Sequence, residues 1–163
     1  MPGATSSRAG ARAERPAAIT IAAGAVAGIV AHARREAPRE CCGLLLGAPA
    51  TVDAIVPARN LARGVARYRV DPRDHFRAIR IARAAGLAVV GAYHSHPRSP
   101  ATPSPTDVAE AAFDDFLYLI VSLAGTRAPV VRAYRPAARA FVRVRLVRRE
   151  ETERRRSRRP STG

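Results

Sequence analysis

Leu87-Ala88-Val89-Val90-Gly91-Ala92-Tyr93-His94-Ser95-His96-Pro97 is the stretch on which the fold of this 163-residue chain turns. Leu87–Tyr93 is apolar and of strand length, and Pro97 closes it. Side chains alternate across a strand, so His94 and His96 project from one face and offer two imidazoles to one ion. A hydrolytic zinc takes three protein ligands and keeps a position open for water. Asp107 can be the third, because four prolines between 97 and 105 can turn the chain back toward the sheet. Ser104-Pro105-Thr106-Asp107 opens a helix, and an anion in a first turn is favoured by the helix dipole. A lone H-x-H on a strand carries little weight, since core or surface histidines produce the same pattern.

Working outward, Ile19–Ile21 reads as a short strand and 22–36 as an Ala-rich helix that stops before Pro38. Cys41–Leu46, bounded by Gly47, is a buried strand candidate, and Val52–Ala58 another. Arg67–Val70 reads as a further short strand. Asp71-Pro72-Arg73-Asp74 then opens a helix with an acidic N-cap and proline at the first helical position. Phe76, Ile79 and Ala82 are expected on one face of that helix, with Gly86 ending it. Leu117–Leu123 has no polar residue before Ser122, as a strand covered on both faces requires. Val130–Arg135 and Arg139–Val147 alternate, with Val142, Val144 and Leu146 on one side and Arg143 and Arg145 on the other. Strands interleaved with helices early and paired strands late imply a mixed sheet with helices packed on it.

The length allows one domain. The formal charge is +15, and all 28 basic residues are arginine. Residues 148–163 carry seven Arg and three Glu with few apolar side chains, so they are expected to form a solvated, disordered tail. Residues 1–15 read as a flexible extension. Aromatic residues make up only 5% of the chain and Trp is missing, which disfavours nucleic acid as a partner. Adjacent Cys41 and Cys42 cannot staple a secreted scaffold and fit a reducing cytoplasm. Arg8, Arg12 and Arg15 before the run Ala17–Ala31, with Ala31-His32-Ala33 behind it, imitate a signal peptide. A strand followed by an Ala-rich helix explains that segment equally well. No apolar run is long enough for a membrane span, and the cytoplasm is the expected location.

His94-Ser95-His96-Pro97, six residues, Ser104, two more and Asp107 make H-S-H-P-x6-S-x2-D, preceded by an isolated Glu40 at the start of an apolar strand. This pattern resembles the JAMM (MPN-plus) zinc metalloprotease family in its minimal prokaryotic form. The resemblance runs from about Ile19 to Val147 and includes Pro38–Gly47, Tyr68–Pro72 and Gly91–Asp107. It implies an α/β, cytidine-deaminase-like three-layer α-β-α fold with a mixed, mostly antiparallel sheet over residues 16–147. It also implies one Zn2+ per chain on His94, His96 and Asp107. Glu40 would be the general base toward the zinc-bound water, and Ser104 a donor to the oxyanion. Ser104 also sits where an N-cap belongs, and its hydroxyl would then only bond the Asp107 amide.

The implied substrate is a peptide or isopeptide bond after the Gly-Gly tail of a ubiquitin-like or sulfur-carrier protein. A homodimer stays open. Two other classes compete: a non-catalytic MPN-fold scaffold, and a nucleic-acid-associated protein using the Arg-rich tail. A nucleobase deaminase is excluded, for neither H-x-E nor P-C-x-x-C occurs. Cys41 and Cys42 are expected on opposite strand faces as small buried hydrophobes. His32 and His75 are expected as surface or rim histidines, Tyr93 as a packing residue, and Ser95 as a loop support facing away from the imidazoles.

Overall fold

The computed structural model describes residues 18–125 and 128–150. The elements run β1 (Ala18–Ala22), α1 (Ala23–Glu36), β2 (Cys42–Ala48), β3 (Thr51–Ala58), α2 (Pro72–Ala84), β4 (Ala88–His96), α3 (Pro105–Glu110), β5 (Leu117–Ser122), β6 (Val130–Ala137) and β7 (Ala140–Arg149). The strands lie in the order β1-β3-β2-β4-β5-β6-β7, and β7 pairs with β1, so the sheet closes on itself. Four of its neighbour pairs are antiparallel and three parallel: β1 with β3, β1 with β7, and β4 with β5. The mixed α/β character expected from the sequence is therefore present, and the sheet closes in a barrel-like arrangement. The cause is β1, whose two edges are both used and whose pairing with β7 removes the free edges.

Alternation along each strand separates two apolar clusters. On one face Ile19, Ile21, Cys41, Leu45, Tyr93, Leu117, Leu119 and Val121 pack against Val26, Ile29 and Ala33 of α1. On the other, Cys42, Leu44, Leu46 and Val56 pack against Ala78 and Ala82 of α2. The two cysteines thus do face opposite ways as small buried groups. From residue 18 on, the apolar run that ends at Ala31 supplies β1 and most of α1 and forms part of this core.

Asp71 caps α2 as its sequence requires: its Oδ1 accepts from the Arg73 amide at 2.8 Å, with Pro72 at the first helical position. Its buried face is Asp74, Ala78 and Ala82, spaced by four, whereas Phe76 is 66% exposed. The expected stripe through Phe76 was wrong because the small alanines are what let the helix axis approach the sheet. Asp74 is buried because Arg59 needs it. Its Oδ2 accepts from the Arg59 amide at 2.8 Å, and that bond, working against burial, holds the carboxyl below its ordinary value. Arg67–Val70 is likewise not a strand; Val70 forms a single bridge with Asn60, and the 59–71 segment is a loop.

β7 continues through Arg148 and Arg149, two residues beyond the boundary expected at 147, because both pair with β1 and Arg149 reaches Asp53. The remainder of the Arg-rich tail from 151, and the 1–15 extension, lie outside the described residues. Among the described residues, no helix is long and apolar enough to cross a membrane.

Gly43 illustrates how tightly β2 and β4 meet. It pairs with Tyr93, and a methyl group on Gly43 would occupy the space of the Tyr93 ring. Gly43→Ala is expected to destabilise the fold by about 1–3 kcal/mol through overpacking. Urea unfolding measures this as a lower midpoint at an unchanged slope.

Candidate metal centre

The site is built at the C-terminal end of β4. Antiparallel pairing with β2 sets Cys42 opposite His94, and the Ser95 amide donates to the Cys41 carbonyl at 3.1 Å. Ser95 turns away from the imidazoles and accepts from the Cys41 amide with its Oγ at 2.8 Å. Its support therefore goes to the entry of β2. Continuing that register two residues beyond the Cys42–His94 pair sets Glu40 across from His96, on the same face as both imidazoles.

His94 and His96 are 1% and 4% exposed, and their Nε2 atoms lie 3.1 Å apart. Asp107, 8% exposed, is brought over them by the proline-rich loop. Its Oδ1 is 3.2 Å from His94 Nε2 and its Oδ2 3.4 Å from His96 Nε2. One ligand atom from each of the three falls within 4.8 Å of the others. Two imidazole nitrogens and one carboxylate oxygen match the donor set of an open zinc site. His96 Nδ1 lies 2.8 Å from the Pro100 carbonyl and so carries a proton, and Nε2 is the atom that would turn a lone pair to an ion on giving up its proton to Asp107. Among the described residues His94 Nδ1 has no hydrogen-bond partner, and Tyr68 stacks on its ring at 4.3 Å. These residues fit a divalent ion.

The electrostatics agree. Burial pushes His94 below its ordinary pKa, which keeps it neutral, as a ligand must be. Burial would raise Asp107, but hydrogen bonds from the two imidazoles outweigh it and hold the carboxyl well below the usual carboxylate range. For His96, too, burial is outweighed by bonds to Asp107 and Pro100, and the net shift is upward. Glu40, 7% exposed, is raised to about 7, first by burial, with His96 lowering it and Asp107 raising it. The charges of His96 and Asp107 both act on it.

Ser104 and Asp107 form a reciprocal capping box on α3. The Asp107 amide donates to Ser104 Oγ at 3.1 Å, and the Ser104 amide donates to Asp107 Oδ2 at 2.7 Å. The cap that the sequence allowed is present. A hydroxyl that accepts still has its own proton to give, so capping does not use up Ser104.

Next to the metal group, with Tyr68 between the two, lies a groove of about 730 Å³ walled by the 59–71 loop, α2 and the segment after α3. Tyr68, Val70, Phe113, Phe116 and Tyr118 line it, with Arg63, Arg67 and Arg69 among its charged groups. Arg67 bridges to Glu110 of α3 at 2.8 Å. His75 stands on its rim, edge-on to Phe113. His32 corrects expectation: it is 5% exposed, and its Nδ1 lies 2.8 Å from the Tyr93 hydroxyl. The Ala-rich helix packs its small face so closely that His32 is drawn into the core, where Tyr93 satisfies it. Sequence reading did not single out Tyr68, Asn60 or the Phe113–Phe116 pair. The only advance signal was that Tyr68 lies within one of the resemblance blocks.

A barrel-closed mixed sheet carrying a buried His-His-Asp group beside a buried glutamate defines a metal-site protein of the α/β class. Residues 22–137 match the model of the prokaryotic homologs of the JAB domain, and the chain belongs to that family, the prokaryotic form of JAMM/MPN. It is 35% identical over 119 residues to the CysO-cysteine peptidase of Mycobacterium tuberculosis (strain ATCC 25618 / H37Rv), covering 72% of this chain and 82% of the relative. A desampylase of Haloferax volcanii is 38% identical over 111 residues, covering 64% of this chain and 80% of the relative. The solution structure of a protein from Desulfitobacterium hafniense superposes with a TM-score of 0.75 at 31% identity, covering 82% and 94% of the two chains.

Metal analysis of the purified chain is expected to find one divalent ion. Both His94→Ala and Asp107→Ala should lose it. Added zinc should raise the melting temperature of the unsubstituted protein alone, by ligand linkage.

Proposed function

We propose that the protein is a zinc-dependent peptidase or isopeptidase that cleaves the bond after the C-terminal Gly-Gly tail of a ubiquitin-like or sulfur-carrier protein. The observation that carries this reading is the buried His94-His96-Asp107 group, with a buried Glu40 whose charge His96 and Asp107 both act on. Relatives named CysO-cysteine peptidase and desampylase support a hydrolase acting on such conjugates. Helices on both faces of the sheet support the cytidine-deaminase-like description of the layering.

When bound, the ion lowers the pKa of water to about 7 and polarises the scissile carbonyl. His94, His96 and Asp107 would hold it. Glu40 takes a proton from the attacking water and returns it to the departing amine, a relay that needs a carboxylate whose pKa stands near the working pH. Ser104, with its proton uncommitted, donates to the developing oxyanion. The tail lies extended in the groove that Tyr68 lines. Burying Glu40 raises its pKa and costs stability, and a scaffold without activity would have no use for it.

Glu40→Gln is expected to retain the metal and lose about 10²- to 10⁴-fold in kcat on a carrier fusion. Normal turnover by that variant would remove Glu40 from the mechanism. Glu40 works only when deprotonated and is raised to about 7 by burial. The wild-type rate should therefore climb with pH along an acid limb ending near neutrality, and the limb should vanish in Glu40→Gln. Phe116→Ala should raise KM and leave kcat nearly unchanged, as loss of uniform binding does.

A further inference from the structure

Asn60 follows β3 and belongs to no strand or helix, yet its side chain makes four hydrogen bonds. Nδ2 donates to the carbonyls of Glu40 and Arg67, both at 2.9 Å. Oδ1 accepts from the amides of Ala62 and Arg69, both at 2.9 Å. Carbonyls only accept and backbone amides only donate, so the orientation of the amide is unambiguous, and its hydrogen-bonding capacity is filled. The partners are informative. One is the backbone of Glu40. Two others, Arg67 and Arg69, flank Tyr68, whose ring stacks on His94 at 4.3 Å. A single amide therefore links the segment carrying the carboxylate of the cleft to the aromatic group that holds a metal ligand lacking any hydrogen bond on its Nδ1.

We infer that Asn60 is a positioning residue, which sets Glu40 and Tyr68 against the metal ligands and acts on the reaction through them. The inference rests on the hydrolase reading above. Nothing else among the described contacts joins these two parts so directly. Arg39 reaches the Ala62 carbonyl and Arg67 reaches Glu110, but neither touches both the Glu40 backbone and the residues flanking Tyr68, as Asn60 does. Aspartate at position 60 keeps the shape and both acceptors, and it sets a carboxylate oxygen against the Glu40 and Arg67 carbonyls. Alanine removes all four bonds.

The test compares Asn60→Ala and Asn60→Asp with wild type in three readouts. In turnover of a carrier fusion, both variants should lose about 10- to 100-fold in kcat with KM little changed, the size of effect seen when a supporting partner of a metal site is removed. In hydrogen exchange, the Ala62 and Arg69 amides should exchange about tenfold faster in Asn60→Ala, while Leu119 and Val121 of β5 stay protected in both variants. Chelator-driven release of zinc should be faster in both, because the Tyr68 stack on His94 loosens. Unchanged kcat, or a change confined to KM, would overturn the positioning role. Loss of β5 protection in both variants would reassign Asn60 to general stability and also overturn it. If the wild-type chain hydrolyses no carrier fusion, the hydrolase reading fails instead, and zinc release then decides: an unchanged rate overturns the placement of Tyr68 by Asn60.

Discussion

The antiparallel pairing of β2 with β4 is the constraint on which the site depends. Each strand brings half of the chemistry, Glu40 at the entry of β2 and the two imidazoles at the exit of β4, and only their register brings the halves together. A slip of one residue would turn His94 and His96 into the apolar cluster beneath α1 and expose Tyr93 in their place. Three features resist that slip. Gly43 receives the Tyr93 ring, Ser95 exchanges bonds with Cys41 on both sides, and β5 pairs in parallel along the far edge of β4. The geometry of the His-His-Asp group is in this sense a by-product of core packing, and residues away from the ligand atoms hold it.

Burial then sets the chemistry of each group. Asp107 is an anion held by two imidazoles and a backbone amide, so it remains charged deep in the fold. Glu40 has only its place in the cleft and no comparable partner, and burial raises it toward neutrality. Two carboxylates in one site are thus driven apart, one fixed as an anion and the other free to exchange a proton. The 59–71 loop is the third component. Arg59 ties one end of it to Asp71 and Asp74, Asn60 ties its middle together, and Tyr68 delivers the result to His94.

Local chemistry was legible wherever one short segment decided it. The Asp71-Pro72 start of α2, the Ser104-Pro105 start of α3 and the shared face of His94 and His96 follow from capping and from strand period, and the structure contains all three. Readings that depended on what lies opposite went astray. Phe76 and Ala82 share the expected face of α2, yet of the two only Ala82 is buried, beside the equally small Ala78. His32 has no ligand-spaced partner in the sequence and reads as a surface group, but Tyr93, 61 positions away, meets its Nδ1 in the core. Arg67–Val70 alternates like a strand, but no neighbouring strand is there to receive it beyond one bridge at Val70.

By itself the sequence determined the class of fold, the strands and helices with strong local signals, and a pattern of two histidines, an aspartate, a serine and a glutamate. Those follow from spacing, and spacing is a property of the chain alone. Only the tertiary structure decided that the sheet closes through β1 and β7, that Glu40 shares a buried cleft with the histidines, and that Asn60 and Tyr68 support them. These depend on register, burial and contacts between residues distant in sequence, and their energies exist only once the chain has folded.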